Sequence, residues 1–171
     1  RQRIAKETLD IYDPIAQRFG MNLVKSELQD LGFRAMYPWR HAIIEKHIRS
    51  QPVVRRGAMA QIEVHLSQRL SKEGLEHRLV SRIKTPWSIY TKIREENKTF
   101  AQAIDVFGFL LLMRLVPSCY HALGAVHAAF KPLDGRFRDF IAIPKANGYQ
   151  SLHTVLFGPY GSPIEVQIRT E

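Results

Sequence analysis

The sequence predicts an α+β fold: a mixed, mainly antiparallel sheet of about five strands, flanked by helices and preceded by an all-helical segment. Three observations predict it. Residues 1–73 carry apolar residues at helical spacing, with no strand pattern. After Gly74 the character changes to short apolar runs that alternate with short helical stretches. The order there is strand, helix, strand, helix, then three strands, which calls for a sheet with helices packed on it.

The elements follow in order. Ile4, Ala5, Leu9, Ile15, Ala16 and Phe19 recur at helical spacing, and Pro14 is expected to bend or break that segment. Gly20 is a stop signal. Leu23, Val24, Leu28 and Leu31 predict a second helix that Gly32 would end. Pro38 opens a helix through Ile48, and the basic stretch Val53 to Gly57 reads as a loop. Met59, Ile62, Leu66 and Leu70 mark a further helix capped by Gly74. His77 to Lys84 reads as a strand, and Pro86 to Glu96 as a helix with Pro in its first turn. Val106 to Leu115 is a strand, and Ser118 is placed to cap a helix running to Phe130. Phe137 to Ile143, Tyr149 to Phe157 and Ile164 to Arg169 complete the strands. The division expected is a helical lead-in over 1–73 and an α/β core over 74–171. Both ends of the chain look cut, so the core is expected to continue past its C-terminus.

Composition narrows the function classes. The 171 residues are 45% hydrophobic, enough for a packed core. No apolar run approaches the ~20 residues of a membrane helix. The single cysteine, Cys119, makes no internal disulfide, and a cytoplasmic setting fits. A net charge of +9 favours an anionic partner, but nucleotide phosphates, nucleic acid and acidic membranes all satisfy it. An aromatic–basic stacking stripe for RNA is not evident, so no direct nucleic-acid binding is expected.

Three clusters and one lone acid have residue types suited to chemistry. In Pro163 to Thr170, strand alternation puts Glu165, Gln167 and Arg169 on one face and Ile164, Val166 and Ile168 on the other. That polar set could bind a metal or position a hydroxyl and a phosphate, but from this segment alone an ordinary amphipathic strand with a solvated polar face is the better reading. Around Gly135 to Thr154, the residues Arg136, Arg138 and Lys145 suit phosphate. Asn147-Gly148 is a turn signal that leaves Tyr149 at the mouth of a strand, where it could stack on a base with Asn147 and His153 around it. A plain hairpin turn, a core tyrosine and a structural histidine account for the same residues. Arg82 and Lys84 run into a helix N-terminus at Pro86, near Ser88 and Lys92, which suits a triphosphate or simply a basic turn. Asp105 stands just before an apolar strand, as a metal ligand or a turn cap. No Walker-type glycine loop is present, which argues against a P-loop NTPase.

Taken together, Pro144-Lys-Ala-Asn-Gly-Tyr-Gln-Ser-Leu-His-Thr154 and Glu165-Val-Gln-Ile-Arg-Thr170 resemble the most distinctive strings of the RelA/SpoT family of (p)ppGpp synthetases. Ile4 to Ala16 and Lys25 to Phe33 resemble the helices that join hydrolase and synthetase domains there. The resemblance spans essentially the whole chain and is closer to the long SpoT or Rel type than to small stand-alone synthetases. It implies a nucleotidyltransferase-like sheet and transfer of the β,γ-pyrophosphate of ATP to the 3′-hydroxyl of GDP or GTP, the signal of the stringent response. It implies that Asp105 holds Mg²⁺, with Glu165 as base or second metal contact. Arg82, Lys84, Ser88 and Lys92 would clamp ATP. Lys145, Asn147, Tyr149 and His153 would surround the guanine nucleotide. Arg136-Phe-Arg-Asp139 resembles the basic charge motif of bifunctional members, with Arg138 where Lys is usual. A hydrolase domain would lie upstream in such a protein.

Several positions depart from the family pattern. Ser81 stands where Gly is usual, Ile83 where an acid or Pro is frequent, and Thr85 where His is usual. Pro86-Trp87 replaces an apolar-Tyr pair, and Leu110 stands where an Arg is expected five residues after Asp105. The guanine side is intact and the ATP side is altered. Two functions follow: a weakly active synthetase, or a degenerate domain that binds a guanine nucleotide or regulates a neighbouring hydrolase domain.

Overall fold

The computed structural model describes residues 2–51, 54, 57–95, 106–146 and 148–171. Helices run over Gln2–Glu7 (α1), Asp13–Arg18 (α2), Asn22–Met36 (α3), Pro38–Ser50 (α4), Ala58–Lys72 (α5), Pro86–Glu95 (α6) and Val116–Ala129 (α7). Strands run over Arg78–Ile83 (β1), Phe107–Met113 (β2), Arg138–Asp139 (β3), Leu152–Phe157 (β4) and Pro163–Thr170 (β5). The described part of residues 1–73 is helical apart from short connections, as the periodicity predicts. Most of the expected Val53–Gly57 loop lies outside the described residues.

Packing divides the chain into two compact units: residues 1–50 with 84–103, and residues 51–83 with 104–171. The secondary structure changes character at Gly74, yet α5 packs with the sheet and α6 packs with α3 and α4.

In the helical unit, the winding does not break at Pro14. A π-helical turn at Thr8–Tyr12, in which the Asp13 N–H reaches back to the Thr8 carbonyl, comes just before it. Such a wider turn accommodates a residue with no N–H to donate. Gly32 does not end α3, which continues to Met36. Its role is close approach, because a Cβ there would lie 2.8 Å from Leu9 Cγ. Phe33, fully buried, is the centre of an aromatic cluster with Tyr37, His41, Trp87 and Tyr90. The Arg40 guanidinium donates to the Tyr90 hydroxyl at 2.7 Å. Trp87, a departure from the family pattern, is thus part of this cluster.

In the second unit the sheet order is β1-β2-β5-β4-β3. Only β2 and β5 pair in parallel; the other three pairings are antiparallel. The inner strand β2, Phe-Gly-Phe-Leu-Leu-Leu-Met, is apolar almost throughout and buried at every position but Leu110. Phe107, Phe109, Leu111 and Met113, with Ile164, Val166, Ile168, Leu152 and Leu156, make one fully buried sheet face. Helix α7 covers it with Cys119, Ala122, Ala125 and Val126, and α5 contributes Ile62, Leu66 and Leu70. Each of the Leu, Ile, Val, Phe and Met side chains among these contributes about 1.5–3 kcal/mol on burial. Gly74, at φ +70°, ends α5 as expected, with the Leu75 N–H on the Leu70 carbonyl. Ser81 ties β1 to α5 by donating to Glu63 Oε2 at 2.9 Å.

Three further sequence expectations, beyond the Gly32 stop, need correction. Ser118 is not the cap of α7, which starts two residues earlier behind Leu115 with Pro117 in its first turn. The expected strand over Phe137–Ile143 shrinks to Arg138–Asp139, because the Asp139 carboxylate takes the Ile141 and Ala142 N–H groups and turns the chain. The strand expected from Tyr149 begins only at Leu152.

Candidate functional site

Cross-strand partners share a face of a sheet, so the register lays the candidate residues out in rows. One row is Arg82, Gly108, Glu165 and Val155. The next is Val80, Leu110, Gln167, His153 and Arg138. These rows lie on the face opposite the apolar core. Gly108 is the floor between Arg82 and Glu165. A Cβ there would lie 3.7 Å from both Cγ and Nε of Arg82, so the arginine side chain runs over the glycine.

Glu165 is buried. His153 Nδ1 faces its Oε1 at 3.6 Å, and His153 Nε2 meets the Tyr149 hydroxyl at 2.8 Å. The imidazole thus stands between the tyrosine hydroxyl on one side and the carboxylate on the other. The half-buried Tyr149 has a dense surround. Phe140 meets it edge-on at 6.3 Å and His153 at 5.7 Å. Lys145 Nζ lies 5.3 Å and the Arg169 guanidinium 5.6 Å from its ring centre. A ring with cations at that range is electrostatically suited to a polyanion that also carries an aromatic base.

The structure therefore brings Lys145, Tyr149, His153, Glu165 and Arg169 together, with Arg82 on the same sheet face. Asn147 and Asp105 lie outside the described residues. Among the remaining candidates, Arg138 donates to the Phe137 carbonyl at 2.8 Å and the Gly135 carbonyl at 3.3 Å. Arg136 is half-buried beside it. Lys84, Ser88 and Lys92 belong to the helical unit. There the Ser88 hydroxyl donates to the Thr85 carbonyl at 2.9 Å, and the Thr85 hydroxyl accepts the Ser88 N–H, a local cap on α6.

Phe140 and Asp139 were given no place around Tyr149 by the sequence. For Arg169 a signal existed, since alternation in β5 puts it on the Glu165 face. For Phe140 there was none, because its contact depends on a turn made by Asp139. A concavity on α5, lined by Ala60, Gln61, Val64, His65 and Gln68, includes none of the candidate residues.

Among the described residues no cluster of three or more acidic, histidine or cysteine side chains could cage a metal. Glu165 alone is compatible with magnesium, which binds through one or two carboxylates plus substrate phosphates. No described helix is long and apolar enough to cross a membrane.

Comparison with known proteins gives a consistent result. Residues 81–171 match the model of the region found in RelA/SpoT proteins. The whole chain is 43% identical to the guanosine-3′,5′-bis(diphosphate) 3′-pyrophosphohydrolase of Vibrio cholerae and to the bifunctional (p)ppGpp synthase/hydrolase SpoT of Escherichia coli, covering 24% of each. It is 43% identical over 168 residues to the GTP pyrophosphokinase of Myxococcus xanthus, covering 98% of this chain and 22% of that one. The chain thus spans about a quarter of the length of the curated relatives it matches. Among solved structures, small alarmone synthetase 1 of Bacillus subtilis bound to its product pppGpp is 25% identical, with a TM-score of 0.56 over 67% of this chain and 68% of that one. A second structure of that enzyme is 27% identical, with a TM-score of 0.54 over 67% and 66%.

Proposed function

The chain belongs to the RelA/SpoT family, and from that premise we propose that it is a (p)ppGpp synthetase domain of low activity, transferring the β,γ-pyrophosphate of ATP to the 3′-hydroxyl of GDP or GTP. The observation that carries the reading is the line of contacts from Tyr149 through His153 to Glu165. It connects a ring suited to stack on guanine with a buried carboxylate suited to orient the attacking hydroxyl. Such general-base help is worth roughly 10²–10⁴ in rate.

Lys145 and Arg169 supply positive charge beside the guanine seat, and Arg82 supplies it beside Glu165. Positioned cations stabilise the charge that spreads over a transferring phosphoryl group. Magnesium would be held by Glu165, with Asp105 as the other candidate carboxylate, and would neutralise phosphate charge when bound. Asn147 joins the guanine side, and Lys84, Ser88 and Lys92 the ATP side, on the resemblance alone. A hydrolase domain elsewhere in a longer protein, and a cytoplasmic setting, complete the proposal. The B. subtilis structure with its product supports the nucleotide assignment.

A second reading has its own observation. Leu110, where the family pattern has Arg, lies on the same sheet face as Glu165. A domain that binds a guanine nucleotide but handles ATP poorly would act as a regulator of a neighbouring hydrolase. Incubating the chain with ATP, Mg²⁺ and GDP separates the two. Guanosine tetraphosphate in the product supports the synthetase; GDP binding without product supports the regulator.

A further inference from the structure

Asp139 belongs to a charge motif, but its carboxylate is engaged in local bonds. Oδ1 accepts the N–H groups of Ile141 at 2.9 Å and Ala142 at 2.8 Å. Oδ2 accepts the hydroxyl of Tyr120, on α7, at 3.0 Å. The Asp139 carbonyl also accepts the Ile143 N–H at 3.3 Å. Three side-chain bonds and one backbone bond thus shape the chain at 139–143 and tie it to a helix of the core. The Ala142 amide foremost, against a smaller opposing effect of burial and with help from Tyr120 and Ile141, holds the carboxyl below its usual range.

What this turn carries is the surround of Tyr149. Phe140 follows directly, its N–H on the Ser151 carbonyl at 2.9 Å, and its ring meets His153 edge-on at 5.1 Å. Lys145 ends the stretch, with Nζ 4.7 Å from the Phe140 ring centre and its N–H on the Tyr149 carbonyl. The turn that the Asp139 carboxylate closes thus lies between Phe140 and Lys145.

We propose that Asp139 is a positioning residue: its carboxylate oxygens hold the 140–146 turn so that Phe140 and Lys145 meet Tyr149, and the geometry of the turn, not the negative charge, prepares the guanine seat. This rests on the guanine reading of Tyr149. Charge and geometry are separable, because asparagine keeps an acceptor oxygen for the two amides, and its amide group can donate to the Tyr120 oxygen.

The test is calorimetric titration of GDP into the chain and its D139A, D139N and Y120F variants, with amide hydrogen exchange read at Ile141 and Ala142. D139A is expected to weaken GDP binding about tenfold or more and to expose both amides, since bonds to a charged acceptor are lost. D139N is expected to restore affinity and protection to near the parent. Y120F, which loses only the tie to α7, should fall between them. D139N as weak as D139A would overturn the proposal in favour of charge, and so would D139A binding GDP like the parent. Should D139A not fold, D139N decides alone: retained affinity supports the proposal and lost affinity overturns it. If the parent itself binds no GDP, the guanine reading falls, while amide protection in the parent and D139N but not in D139A still decides whether Asp139 holds the turn.

Discussion

Leu110 is the register partner of Gln167 in the parallel β2–β5 pair, two residues along from Gly108 and Glu165. It is the most exposed residue of β2, half-buried where the other six are buried. A side chain there therefore reaches the face that carries the candidate acid, and an arginine at this place need not bury its charge. A cation over an aromatic base contributes about 0.5–2 kcal/mol. Leu110→Arg is accordingly expected to raise ATP affinity, by up to about thirtyfold. The parent should retain GDP binding, bind ATP weakly and make little product. Calorimetry with ATP decides: tight ATP binding and fast turnover in the parent would reduce Leu110 to a packing residue.

Tyr149→Ala is expected to weaken GDP binding by roughly ten- to a hundredfold, since base–aromatic stacking is worth about 1–3 kcal/mol. The variant also frees His153 Nε2 from the phenol. Tyr149→Phe separates the two effects, keeping the ring and losing the hydroxyl that reaches the histidine at 2.8 Å. Unchanged GDP affinity in the alanine variant would remove Tyr149 from the site.

Gly32→Val is expected to destabilise the helical unit by about 1–3 kcal/mol, the usual range for overpacking. The added Cβ alone would sit 2.8 Å from Leu9 Cγ and 3.4 Å from the Ala5 carbonyl oxygen. Urea unfolding measures the change. A variant as stable as the parent would mean that the helices move apart at little cost.

Acid should weaken the sheet unit through His127. This histidine, on α7, meets the buried Thr154 hydroxyl at 2.9 Å, and burial pushes its pKa below the ordinary value. The unfolded chain then binds a proton more readily than the folded one, so stability rises with pH across the window between the lowered and the ordinary pKa. The contribution is complete above the ordinary histidine pKa and is lost as pH falls through that window. Thermal unfolding from pH 7.5 down to 5 should show a falling midpoint, and His127→Gln a flatter profile. Equal slopes would remove His127 as the source.

Much of the fold was legible because its signals are local. Helical spacing, alternation in β5 and the glycine cap at residue 74 each depend on a few neighbouring residues, and each appears in the structure. The errors share a cause. Gly32 reads as a stop, yet its meaning depends on Leu9, far along the chain. The run Phe137–Ile143 reads as a strand, yet one aspartate redirects it once Tyr120 and two amides are in reach. Ser118 reads as a cap, yet the helix had already begun behind Leu115.

The sequence by itself determined which residue types were available for the chemistry: a strand with Glu165 and Arg169 on one face, a turn leading to Tyr149 and His153, and leucine at position 110. Tertiary structure alone decided their company. Strand order β1-β2-β5-β4-β3 sets β2 and β4 on either side of β5. It thereby puts Gly108, Leu110 and His153 beside Glu165 and Gln167. Such neighbours are chosen by hydrogen-bond registry between segments distant in the chain, and no local pattern records a registry that forms only when the sheet closes on its core.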